Sequence, residues 1–69
     1  MRLWQVERNQ TDGQRICHMR EMANGYEVRL TDSRTTQRRL RCRHLDAAVR
    51  LANRWFTDFL QDGWRRAPF

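Results

Sequence analysis

From Leu45 to Gln61 the chain reads LDAAVRLANRWFTDFLQ, and this stretch restricts the fold more than any other. Leu45, Ala48, Val49, Ala52, Trp55, Phe56, Phe59 and Leu60 recur at three- and four-residue steps, the period of a helix with one buried face. Leu51 widens that stripe, while Arg50, Asn53, Arg54, Thr57, Asp58 and Gln61 fall on the opposite side. Asp46 sits in the first turn, where a carboxylate meets unpaired amides and the positive end of the dipole. Gly63 follows the last apolar residue and can adopt the left-handed conformation that ends a helix. The pattern predicts a helix over 45–62. A helix with a single apolar face needs a second layer to cover it.

The remainder of the chain supplies strands for that layer. Trp4 and Val6 alternate with Gln5 and Glu7, which predicts a strand over 3–8. The polar run from Asn9 ends in Asp12-Gly13, a turn signal. A second strand is expected over 15–22, with Ile16, His18 and Met22 on one side and Cys17 and Met19 on the other. Asn24-Gly25 is a further hairpin signal, since both residues tolerate positive φ. Over 26–31, Tyr26, Val28 and Leu30 alternate cleanly with Glu27, Arg29 and Thr31. After a polar loop, a fourth strand over 37–43 carries Leu40 and Cys42 on one side and Arg39, Arg41 and Arg43 on the other. A five-residue loop sets Val28 opposite Leu40 and Glu27 opposite Arg41.

The expected architecture is α+β: a three- or four-stranded antiparallel meander packed against one C-terminal helix. Sixty-nine residues make one small domain, spanning 1–69. Trp64 is expected to fold back on the helix end, with the tail 64–69 otherwise frayed. A sheet on a C-terminal helix is similar in plan to the arm-binding domains of phage integrases and to plant AP2 domains. Both read DNA with the sheet, although the residues carry no motif of either family. Single-strand binders of four strands and a helix fit the plan equally, but they stack bases on exposed aromatics. Here Trp4, Tyr26, Trp55, Phe56 and Phe59 all fall on expected core faces, leaving Trp64 and Phe69 free.

Charge narrows the function. The net charge is +6, and all fourteen basic residues are arginine. A planar guanidinium pairs with phosphate through two bonds at once and stacks on bases. Arg34, Arg38, Arg39, Arg41 and Arg43 fall within ten residues, and Arg29 lies on the expected partner strand. Alternate residues on a strand stand about 6.6 Å apart, close to the separation of successive phosphates. These six arginines are the expected nucleic-acid contacts, with DNA ahead of RNA as the partner.

The competing expectation is a protein-interaction or accessory module, docking an acidic partner or a second copy of itself. Its surface would be the aromatic helix and C-terminal region, Trp55, Trp64, Arg65 and Arg66. Two Cys and two His match a zinc set by type, but Cys17 and His18 are strand neighbours that point to opposite faces. Neither a metal site nor a cofactor is expected, and both cysteines read as small buried hydrophobes. Ser33, the sole serine, sits in an expected turn with no histidine nearby, and the acids are scattered. No catalytic residue is assigned. No apolar run approaches the roughly 18 residues of a membrane span. Together with the lack of a secretory leader, that sets a cytoplasmic location as the expectation.

Overall fold

The computed structural model describes residues 1–8, 13–32 and 34–68. The elements run β1 (Arg2–Glu7), β2 (Gln14–Met22), β3 (Gly25–Thr31), β4 (Thr36–Cys42), α1 (Leu45–Gln61) and β5 (Arg65–Arg66). The first four strands form an antiparallel meander, and β5 joins its far side to give the order β4-β3-β2-β1-β5. One helix covers one face of this sheet, so the fold is α+β. No helix is long and apolar enough to cross a membrane among the described residues.

The core lies between α1 and the sheet. Trp4, Val6, Cys17, Val28 and Leu30 meet Ala48, Ala52 and Trp55 from the helix. Alanines at 48 and 52 let the helix approach closely enough for Trp4 Nε1 to donate to the Ala52 carbonyl at 3.1 Å. Losing such an acceptor would strand a buried indole N–H, at a cost of about 1–3 kcal/mol. Trp4 also packs against Phe56 and Phe59, with centroids 5.3 and 6.0 Å away. The helix stripe is wider than the sheet can cover. Leu45, Val49 and Leu60, all expected inside, are exposed, while the three helix rings are covered in whole or part. The uncovered remainder is therefore aliphatic.

The segment after the helix is ordered by its own contacts. Gly63 takes φ 92°. The Trp64 N–H donates to the Phe59 carbonyl at 3.0 Å, and the Gly63 N–H to the Leu60 carbonyl at 3.2 Å. This pair of bonds closes a helix C-terminus when a glycine supplies the left-handed turn. The accompanying apolar contact is Trp64 on Phe59, with centroids 5.2 Å apart. Once Trp64 is seated, the chain is delivered to the open edge of β1, where Val6 pairs with Arg66 and Glu7 with Arg65. The tail expected to fray is instead a fifth strand, at least through Arg66. Phe69 lies outside the described residues.

The β2–β3 hairpin turns one residue earlier than Asn24-Gly25 suggests. Met22 pairs with Gly25, so Ala23 and Asn24 form the loop. Gly25, at φ 145°, is required for a different reason: a Cβ there would run into the Cys42 carbonyl oxygen on β4. The Asp12-Gly13 turn falls, except for Gly13, outside the described residues, as does Ser33.

Candidate nucleic-acid interface

Register alone sorts the arginines. Across β3 and β4, Val28 pairs with Leu40, Glu27 with Arg41, and Arg29 with Arg39. Val28 is fully buried beneath the helix, so Leu40 and Arg38 lie on the helix side, while Glu27, Arg29, Arg39 and Arg41 lie on the far side. The pairing continues across the sheet. His18 sits opposite Arg29, and Arg2 opposite His18, which makes one cross-strand row of Arg39, Arg29, His18 and Arg2. The adjacent row is Arg41, Glu27 and Arg20. Neighbouring strands are about 4.8 Å apart, so the first row spans roughly 14 Å.

Of the six arginines expected at the site, Arg29, Arg39 and Arg41 share this face. Arg38 does not. It turns to the helix side, with its guanidinium 5.6 Å from the Trp55 ring centroid. Its parity with Leu40 explains the correction: side chains alternate, and a position next to Arg39 must point the other way. Arg34 is exposed in the β3–β4 loop, where its backbone N–H donates to Asp32 Oδ1 at 2.7 Å. Arg43 is exposed in the short link between β4 and α1. Arg2 and Arg20 complete the face and were not expected. Arg20 could have been found by parity with Ile16 and His18. Arg2 could not, because a register shift between Arg2 and Trp4 resets the alternation there.

One carboxylate stands among these cations. Glu27 is 4% exposed although it lies on the helix-free face. Arg20 reaches it at 3.4 Å and Arg39 at 3.7 Å. Arg29 and Arg41 make no ion pair with a carboxylate among the described residues. The Arg29 Nε is buried without a hydrogen-bond partner. His18 registers the resulting field. Burial lowers its pKa from 6.5, and the positive charges of Arg29, Arg2 and the amino terminus lower it further. Its ring also contacts Thr31 Oγ1, with Nε2 3.4 Å away. Glu7, on the same face at the β5 edge, is taken by Arg65, so around Glu27 the guanidiniums of Arg20, Arg29, Arg39 and Arg41 leave a cationic excess that a polyanion would relieve.

The aromatic surface of the competing expectation is absent from the described surface. Trp55 is 5% exposed and Trp64 6% exposed. Trp64 is enclosed by Phe59 and by the guanidiniums of Arg8 and Arg15, 5.1 and 5.0 Å from its ring centroid. Arg65 pairs with Glu7 at 3.4 Å, and Arg66 is exposed on β5. Burial pushes the Cys17 thiol up to about 12, so it stays protonated and inert at neutral pH. Both cysteines are free, and no group of three or more metal-ligating side chains occurs among the described residues. Neither a family model, nor a curated protein, nor a solved structure matches the chain.

Proposed function

We propose that this domain binds nucleic acid through the helix-free face of its sheet, by phosphate contacts and without catalysis. One observation carries the reading: arginines from four different strands lie on a single face whose central carboxylate, Glu27, is itself buried between two of them, while Glu7 at the far edge of that face is paired with Arg65. Arg29, Arg39 and Arg41 are the central contacts, with Arg2 and Arg20 extending them across the sheet. Arg34 and Arg43 flank them at the strand ends. Among the described residues that face carries no tryptophan, tyrosine or phenylalanine, because Trp4, Tyr26, Trp55, Phe56, Phe59 and Trp64 all join or pack against the core beneath the helix. Base stacking is therefore a poor fit, and backbone contact with a duplex is the better one. Double-stranded DNA is the first ligand to test.

Phosphate contacts release counterions, so affinity should fall with salt at a log–log slope of about −0.9 per contact. Arg39→Ala combined with Arg41→Ala should weaken binding to any duplex and flatten that slope by roughly two units. Both side chains are exposed and Glu27 keeps Arg20 as a partner when Arg39 is removed, so the variant should fold with a modest loss of stability, which circular dichroism checks. A double variant that binds with the parent's affinity and slope would overturn the assignment.

A further inference from the structure

The sheet has two edges, and they differ. At one end β5 pairs over only two residues, and a short edge gives an incoming strand little to join. At the other end β4 runs seven residues, pairs only with β3, and has exposed side chains from Thr36 through Arg41. Its register slips once: Leu30 pairs with Arg38 but Thr31 with Thr36, so Gln37 is the extra residue. From Arg38 to Cys42 the strand is regular. Along that stretch alternate backbone N–H and C=O groups face outward as a template for another strand.

The side chains restrict what that strand can be. Leu40 points to the helix side yet is 50% exposed, because no described strand lies beyond it to cover it. A strand laid beside β4 would bring a side chain against Leu40 on that face. Arg38 flanks Leu40 on the same face, and Arg39 and Arg41 stand on the other. A second copy of β4 would set arginine against arginine, and like charges directly opposite are destabilising. A polynucleotide has no amide ladder to offer. An extended peptide with carboxylates opposite the arginines satisfies both the backbone and the charges.

We propose that the β4 edge captures an extended acidic peptide segment as a sixth, antiparallel strand. Read against Arg41, Leu40, Arg39 and Arg38 in turn, the captured segment runs acidic, aliphatic, acidic, acidic. Arg39 and Arg41 are shared with the nucleic-acid reading, but the backbone edge is not, and the peptide site stands or falls on that edge.

The test uses the full chain and an eight-residue peptide with Glu-Val-Glu-Glu at its centre and two threonines on each side. Two further versions carry N-methyl groups on alternate amides, in opposite phases. Charge and composition are otherwise the same. In an added strand only one phase of amides faces β4, so methylating that phase should weaken binding about tenfold or more. Methylating the other phase should change affinity by no more than about threefold. Fluorescence polarisation gives both numbers, and amide exchange should slow at outward-facing amides of β4. Equal affinity for the two methylated versions, or no saturable binding of the parent peptide, would overturn the proposal. Leu40→Glu should also reduce peptide affinity while leaving the salt slope for duplex unchanged. Failure at the edge and failure at the face are thus told apart.

Discussion

On the helix side of the sheet Arg38 stacks over Trp55 and Arg15 over Trp64, whereas on the far side Arg20 and Arg39 converge on the buried Glu27. In the first setting a guanidinium lies against a ring quadrupole, its stem covering apolar surface and its charge left to solvent. In the second, two guanidiniums reach one buried carboxylate and two more stand beside it in the same and the adjacent cross-strand row. The chemistry of the residue is the same on both faces, and its consequence is opposite. A cation over a ring closes the core; cations crowded around one carboxylate leave a field that an external anion can relieve. The number of arginines in a segment therefore says less about binding than which way each one points.

The largest effect that would sharpen this contrast comes from Glu27→Gln. The substitution keeps the shape and removes the negative charge at the centre of the helix-free face. Stability should fall by about 1–3 kcal/mol, discounted from a fully buried pair because Arg20 and Arg39 remain more than half exposed. Duplex affinity at low salt should rise in the same variant, since the face gains one unit of positive charge. Urea unfolding and a salt titration measure the two effects. Opposite signs support the reading of the face. If stability and affinity fall together, Glu27 is holding the arginines in their binding geometry, and its neutralising role is secondary.

The sequence shows most of this in β3 and β4. Tyr26, Val28 and Leu30 alternate without interruption, and Leu40 and Cys42 answer them; the expected pairing of Val28 with Leu40 and Glu27 with Arg41 is present, although the link is four residues, 32–35, and the extra residue Gln37 makes up the fifth. Where regular alternation breaks, legibility ends. The register shift at Arg2 hides that residue's face, and β2 mixes Ile16 and His18 on one side with Cys17 and Met19 on the other, so hydrophobicity does not name its inner side. β5 was hidden for another reason. Two residues carry no period, and their pairing with β1 depends on Trp64 being clamped by Phe59, Arg8 and Arg15, contacts distant in sequence. Helix existence was legible and its covered width was not, since Leu45, Val49 and Leu60 fit the apolar stripe yet lie beyond the reach of the sheet.

A smaller effect compares adjacent arginines across the two faces. Arg38→Ala removes a cation from above an aromatic ring and should cost about 0.5–1 kcal/mol of stability. It should leave the salt slope for duplex unmoved. Arg39→Ala should flatten the slope by about one unit, and because it also removes one of the two cations beside buried Glu27 it should cost about 0.5–1 kcal/mol as well. If the two variants shift the slope equally, the duplex does not distinguish the faces, and binding follows overall charge alone.

The smallest effect is also the most local, and it reads the far face directly. His18 lies in the row with Arg39, Arg29 and Arg2, and it faces Arg29, Arg2, the amino terminus and Thr31 Oγ1. Burial and these positive charges hold its folded pKa below 6.5. The sign follows from proton counting. As pH falls through 6.5 the unfolded chain takes up a proton that the folded chain does not, so His18 makes the fold less stable on acidification. The penalty stops growing once the pH passes below the folded pKa. A ring-proton NMR titration in a His44→Gln background isolates this one signal, because His44 is exposed and makes no side-chain cap to the helix. Phosphates laid across the row would offset the arginine charges, and the His18 midpoint should rise when duplex is added. Duplex bound elsewhere would leave the midpoint where it is in the free protein. An unmoved midpoint at saturating duplex would place the ligand off this face even if the salt slope came out as expected.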